Sequence, residues 1–104
     1  MDDFQQRLLE QVKLEMSNNP LTWWWLSFAS TDRPKGEQFL GACIVQAYGV
    51  ATAALEARAK NCNPGGQIQS TPFPPHVDLD VWANRLLTRD DCTEFDRWMA
   101  VTYP

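Results

Sequence analysis

The sequence predicts an α+β domain, with a small mixed three-stranded sheet and flanking helices in the order α-β-β-α-β-α-α. Aromatic and β-branched residues are concentrated at 22–29 and 38–46, which is typical of strands. An alanine-rich segment at 48–61 favours a helix, because alanine is the best helix former. A length of 104 residues fits one domain, residues 1–104.

Residues 1–18 are predicted to form an N-terminal amphipathic helix. Its apolar stripe repeats every four residues at Phe4, Leu8, Val12 and Met16. Asp2 and Asp3 suit the positive end of the helix dipole, and Pro20 follows the expected end. Such a stripe needs a partner surface, which is either the sheet of the same chain or another subunit of an oligomer.

Three consecutive tryptophans dominate the predicted first strand, residues 22–29. Alternation puts Trp23 and Trp25 on one face and Trp24 on the other, so both faces are aromatic. One interpretation is that all three rings pack inside the fold. The other is that Trp23 or Trp25 stacks on a flat ligand, which is worth ~1–3 kcal/mol per base.

Residues 22–71 are expected to contain the whole sheet and its crossover helix. A turn at 31–36 joins the first strand to the second in an antiparallel hairpin. The helix at 48–61 then leads to a third strand at 67–71. A strand–helix–strand crossover predicts that the second and third strands are parallel.

Residues 79–99 are predicted to hold two C-terminal helices, the first of them short and spanning 79–87. Thr88 and Asp91 form a capping box at the start of the last helix.

The second aromatic face of the sheet must be covered by the terminal helices or by another copy of the chain. We therefore expect a homo-oligomer, a dimer or a larger ring.

Charge and composition argue against several classes of partner and location. Nine Lys and Arg against thirteen Asp and Glu give a formal net charge of -4, which disfavours general nucleic-acid binding. The apolar runs are far shorter than the ~20 residues of a membrane helix. The first residues lack a signal-peptide pattern, and three cysteines without a CxxC pair indicate reduced thiols. The sequence thus predicts a cytoplasmic protein.

The segment Asn63-Pro64-Gly65-Gly66 ends the alanine-rich helix and is open to two interpretations. It is a simple helix stop, or the backbone N–H groups of Gly65 and Gly66 form a concavity that holds an anion. Arg33 and Arg85 would supply the counter-charge for a phosphate. With Asn63 and a stacking tryptophan, these residues make up the predicted ligand site.

Signals for catalysis are weak. His76 is the one histidine, and pairing it with Cys43 or Cys62 would make a Cys–His nucleophile. The acidic residues at 78–96 lack the spacing of a calcium loop, and the cysteines lack that of a zinc site. We expect a protein that is not an enzyme and needs no metal or cofactor; an enzyme using Cys62, His76 or the acidic cluster is the third hypothesis.

Several motifs resemble a family of short bacterial and phage proteins to which no activity is assigned. These motifs are Thr-Trp-Trp-Trp-Leu-Ser-Phe from residue 22, Phe-Leu-Gly from 39, Asn-Pro-Gly-Gly from 63 and Trp-Ala-Asn-Arg-Leu-Leu from 82. The resemblance covers about residues 22–92 and leaves out 1–18.

Small phage proteins of this general kind include anti-defence "sponges", which bind nucleotide immune signals without turnover. By this class analogy, the chain is expected to sequester a cyclic dinucleotide or a cyclic ADP-ribose in the host cytoplasm. The alternative is a protein-interaction module that inhibits a host effector through an acidic surface and an exposed tryptophan.

Overall fold

The computed structural model describes residues 2–104, so Met1 of the predicted first helix lies outside the described residues. Three α-helices and three strands form the fold, and the α+β class is confirmed, as is the order of the elements, with a 3₁₀ turn in the sixth position. The elements are α1 (Asp3–Asn18), β1 (Thr22–Ala29), β2 (Phe39–Ala47), α2 (Val50–Ala59), β3 (Gln67–Pro72) and α3 (Arg89–Thr102).

β1 is the central strand of the sheet, and β2 and β3 pair with it from either side. Both pairings are antiparallel, so the expectation of a mixed sheet with β2 and β3 as neighbours is wrong. The two strands run in the same direction, but β1 separates them. β1 carries large apolar side chains on both faces and is best buried in the centre, whereas the polar β3 lies at an edge.

The sheet divides the apolar core into two clusters. On one face, α2 packs over Leu26, Phe28, Cys43 and Val45, all of which are fully buried. On the other face, Trp23 and Ile44 pack with residues of the chain after β3. These later residues are Val77, Leu79, Leu87 and Phe95. The chain's own C-terminal part therefore covers the second aromatic face.

The segment between β3 and α3 is helical only in a 3₁₀ turn at Asp80–Trp82. The predicted helix at 79–87 is therefore wrong. Asn84 adopts a left-handed backbone conformation and donates its N–H to the carbonyl of Ile44 at 2.9 Å. Leu87 exchanges two backbone hydrogen bonds with Ala42, at 2.7 and 3.0 Å. This segment is extended because it pairs with the outer edge of β2.

α1 packs against the N-terminal end of α2 through a buried carboxylate. Glu15 accepts the backbone N–H of Thr52 at 2.8 Å and that of Ala51 at 3.0 Å, as well as the Thr52 hydroxyl at 2.9 Å. Gly49, the N-cap residue of α2, has no side chain to cap these donors, so Glu15 caps the helix from 34 positions earlier in the chain.

The rest of α1 is loosely covered. Leu8 and Val12 are half-buried, but Phe4 is 70% exposed and Met16 is 56% exposed. Asp2 caps the helix by accepting the N–H of Gln5 at 2.8 Å. The predicted stripe thus forms but is only partly used for packing in one chain.

Candidate ligand-binding groove

The three consecutive tryptophans have different environments. Trp24 packs against the α2-side core, while Trp23 and Trp25 lie on the α3 side, as alternation predicts. Trp23 is only 9% exposed and is enclosed by core residues. Trp25 is half-buried, and its ring stacks on Phe95 with centroids 5.4 Å apart and an interplanar angle of 24°. Trp25 is therefore the ring of this pair with surface left for a ligand.

The Asn63–Gly66 turn uses its polar groups internally. The side-chain oxygen of Asn63 accepts the N–H of Gly65 at 2.8 Å, so that amide already has a partner. Gly66 has a φ of +80° and lies against the carbonyl oxygen of Ala29, with no room for a Cβ atom. The turn is built as a tight connection into β3, which is the helix-stop interpretation.

The two predicted arginines lie elsewhere. Arg33 is exposed in the turn between β1 and β2, where its carbonyl accepts the side-chain amide of Gln38 at 3.0 Å. Arg85 is also exposed and holds its guanidinium 5.3 Å from the ring centroid of Trp82. Neither arginine lines the two grooves that Trp25 lines.

These two grooves also contain neither Asn63, Gly65 nor Gly66. The structure of one chain therefore does not bring the predicted tryptophan, glycine and arginine residues into a common cavity. What it places beside Trp25 is a different set of residues, which come from all three strands and from α3.

The larger groove, called here the Trp25 groove, lies between α3 and the hairpin end of the sheet and has a volume of about 400 Å³. It is lined by Trp25, Ser27, Phe39, Arg89, Cys92, Thr93 and Asp96. A smaller groove of about 290 Å³ lies next to the end of β3. Trp25 and Asp96 line both, so the two grooves meet at this pair.

A β-bulge brings Phe39 into the Trp25 groove. The pairing of β1 with β2 shifts between Phe28 and Ala29, so that Ala29 pairs with Phe39 and Leu40 is the extra residue. Simple alternation puts Phe39 on the same face as Gly41, but the bulge turns it to the α3 side. The Arg89 guanidinium lies 5.4 Å from the Phe39 ring centroid.

The charges of the Trp25 groove are one cation, Arg89, and one carboxylate, Asp96. Within residues 2–104, the Arg89 guanidinium forms no ion pair, since the single salt bridge joins Arg97 to Glu94. Burial raises the pKa of the Cys92 thiol, and the nearby Asp96 and Asp91 carboxylates raise it further. The groove thus combines the aromatic rings of Trp25 and Phe39, called here its aromatic floor, with an unpaired cation, a carboxylate and a neutral thiol.

The residues considered for catalysis are separated. Cys43 and Cys62 are buried in the α2-side core, and burial raises the pKa of both thiols. His76 packs against Tyr103, which belongs to the cluster on the other face of the sheet. In residues 2–104, no three His, Cys, Asp or Glu side chains are grouped so that they could hold a metal ion.

Of the residues that line the Trp25 groove, Arg89 could be identified from the sequence, because it lies at the start of a predicted helix and next to the capping residue Thr88. Phe39 and Asp96 could not be identified in this way, since their place in the groove depends on the bulge and on the rotation of α3.

Of the helices described between residues 2 and 104, none has the length and apolar character needed to cross a membrane.

Comparisons of the chain with protein-family models, with curated proteins and with solved structures give no match.

Proposed function

We propose that this protein binds a flat, anionic ligand of the nucleotide class in the Trp25 groove and sequesters it without turnover. The single observation that supports this most is the pairing of a half-exposed tryptophan, Trp25, with an unpaired arginine, Arg89, along one groove. In a phage setting, the ligand class would be a cyclic dinucleotide or a cyclic ADP-ribose immune signal.

The aromatic floor supports stacking. Phe95 stacks on the Trp25 ring, and an indole fixed in this way loses little freedom when a base stacks on it. Base–aromatic stacking contributes ~1–3 kcal/mol and is tolerant of base identity. The volume of about 400 Å³ falls in the range of small-molecule sites, which is ~300–1,000 Å³.

The polar groups around the floor match the two ends of a nucleotide. The Arg89 guanidinium presents donors that suit phosphate oxygens, and its contact with the Phe39 ring orients it. The Asp96 carboxylate would accept a hydrogen bond from an amino group of the base or from a ribose hydroxyl. The Ser27 and Thr93 side chains line the same groove and add neutral hydrogen-bonding groups.

A matched pair of arginines tests the proposal, because Arg89 and Arg85 each lie over an aromatic ring but only Arg89 lines the groove. We expect Arg89→Gln to weaken binding of cyclic dinucleotides or ADP-ribose derivatives at least tenfold, since a hydrogen bond to a charged group is worth ~1.5–3 kcal/mol. Arg85→Gln should leave the affinity unchanged. Isothermal titration measures both, with melting temperatures as the control for folding.

If both substitutions weaken binding equally, or if no member of the ligand panel raises the melting temperature of the unaltered protein, the proposal is wrong. Ligand at a hundred times its Kd should stabilise the fold by ~2.7 kcal/mol, which a melting curve resolves.

One observation favours a second candidate function, a protein-interaction module. The exposed side of α3 carries Asp90 and Glu94, and two apolar side chains are also exposed: Val81 in the 3₁₀ turn is 77% exposed and Val101 in the last turn of α3 is 83% exposed. A partner protein whose binding survives Arg89→Gln but is lost when Asp90 and Glu94 are both replaced by lysine would support this function instead.

A further inference from the structure

The outer edge of β3 has backbone hydrogen-bonding groups without partners. The N–H of Phe73 donates to the carbonyl of Trp23 at 2.9 Å, and the register pairs Thr71 with Trp25. In an antiparallel ladder, every second residue faces the neighbouring strand, so Ile68 and Ser70 face away from β1. Within residues 2–104, their backbone N–H and C=O groups form no hydrogen bond outside the sheet.

The opposite edge of the sheet is protected. There, Ala42 and Ile44 of β2 face outward. Leu87 pairs with both backbone groups of Ala42, and Asn84 donates to the carbonyl of Ile44, at distances of 2.7–3.0 Å. Residues 2–104 thus cover one of the two sheet edges and leave the other open.

β3 also lacks the features that normally prevent edge pairing. Its six residues are Gln-Ile-Gln-Ser-Thr-Pro, with no charged side chain, and its one proline is the last residue. Natural edge strands are usually blocked by lysine, by inward-pointing charges, by a central proline or by a bulge. An open, uncharged edge of this kind accepts another strand.

We propose that β3 pairs antiparallel with β3 of a second copy, giving a two-fold symmetric dimer with one continuous sheet. One register satisfies the edge best, with the axis at Gln69 and Ile68 opposite Ser70 of the partner subunit. It forms four backbone hydrogen bonds through these two residues. Moving the axis to Ser70 would place Ile68 opposite Pro72, which has no N–H, and moving it to Ile68 would require the left-handed Gly66.

This pairing adds to a groove already described. The register places Gln67 of the partner subunit beside Thr71, which lines the smaller groove together with Trp25. The second copy would therefore provide a wall next to Trp25. A single strand pair is a small interface, in the range below ~1,200 Å² that transient complexes show, so we expect a Kd in the micromolar range.

Two glutamines of β3 provide a matched test. Gln67 and Gln69 are both exposed and share one face of the strand, but in this register only Gln69 faces its own copy across the axis. Gln69→Lys puts two positive charges opposite each other and should weaken the dimer about fivefold, while Gln67→Lys, which faces Thr71 of the partner subunit, should not. Sedimentation over a range of concentrations measures the Kd, and mixing Gln69→Lys with Gln69→Glu should restore association.

Amide hydrogen exchange gives an independent readout on the unaltered chain. Exchange at Ile68 and Ser70 should slow as the protein concentration rises, while exchange at Gln69, whose amide already pairs with β1, should not change. A monomer at every concentration overturns the proposal. So does a dimer that both lysine variants weaken equally, or one that neither variant weakens.

Discussion

Gly66→Ala is expected to destabilise the fold by about 3 kcal/mol, which would make it one of the most damaging single substitutions in the chain. Two effects add. The φ of +80° is a left-handed conformation that costs alanine about 1 kcal/mol, and the new Cβ would overlap the Ala29 carbonyl oxygen while lying 2.9 Å from the Leu40 side chain. The backbone of β1 cannot move aside, because β2 and β3 hold it on both sides.

Gly65→Ala is the control for this prediction. Gly65 also has a positive φ, +95°, but a Cβ built there meets nothing within 4 Å. We expect a loss of about 1 kcal/mol from backbone strain alone. Urea unfolding of both variants measures the difference. Equal losses would contradict the close packing of Gly66 against β1.

Glu15→Ala is expected to destabilise the fold by about 3 kcal/mol. The substitution leaves the N–H groups of Ala51 and Thr52 without their acceptor at a buried helix terminus, and hydrogen bonds to a charged group are worth ~1.5–3 kcal/mol. Glu15→Gln keeps one oxygen as an acceptor and should lose about half as much. Glu10→Ala, an exposed position on the same helix, should change the free energy of unfolding by less than ~0.5 kcal/mol.

The pH dependence of this effect has a definite sign. Burial alone would raise the pKa of Glu15, but the N–H groups of Thr52 and Ala51 outweigh it and lower the pKa below the ordinary value of 4.5. A lowered folded-state pKa stabilises the fold above pH 4.5, and this stabilisation is lost as the pH falls through the folded-state pKa. The stability difference between the unaltered protein and Glu15→Gln should therefore be constant near neutral pH and shrink below pH 4.5.

Features set by neighbouring residues could be predicted from the sequence. The Thr88–Asp91 capping box forms as expected, with hydrogen bonds of 2.9 and 3.2 Å, because both partners lie within one helical turn. The alternation of the tryptophan strand is also correct, since the two faces of a strand follow directly from its pleat. Local periodicity is enough for such elements.

Features set by contacts between distant residues could not be predicted from the sequence. The place of β3 beside β1 is decided by which strand gains most from burial, and that comparison involves the whole sheet. The cap that Glu15 forms on α2 joins positions 36 and 37 apart in the chain. The segment at 79–87 has a helical pattern of apolar residues, but its pairing with β2 determines its conformation.

The candidate site illustrates the same limit. Trp25 could be selected from the sequence because it belongs to a run of three consecutive tryptophans. Its neighbours Phe39 and Asp96 could not, because a bulge and a helix rotation bring them there. The glycines Gly65 and Gly66 suggested an anion site, but the Asn63 side chain and the close approach to Ala29 indicate a structural turn.

The most direct measurement is an NMR titration of the labelled protein with a cyclic dinucleotide and an ADP-ribose derivative. We expect the signals of the Trp25 indole N–H, Arg89 and Thr93 to shift together and saturate, while those of Gly65 and Gly66 stay in place. Shifts centred on the Gly65–Gly66 turn, or no shift with any nucleotide of the panel, would contradict this expectation.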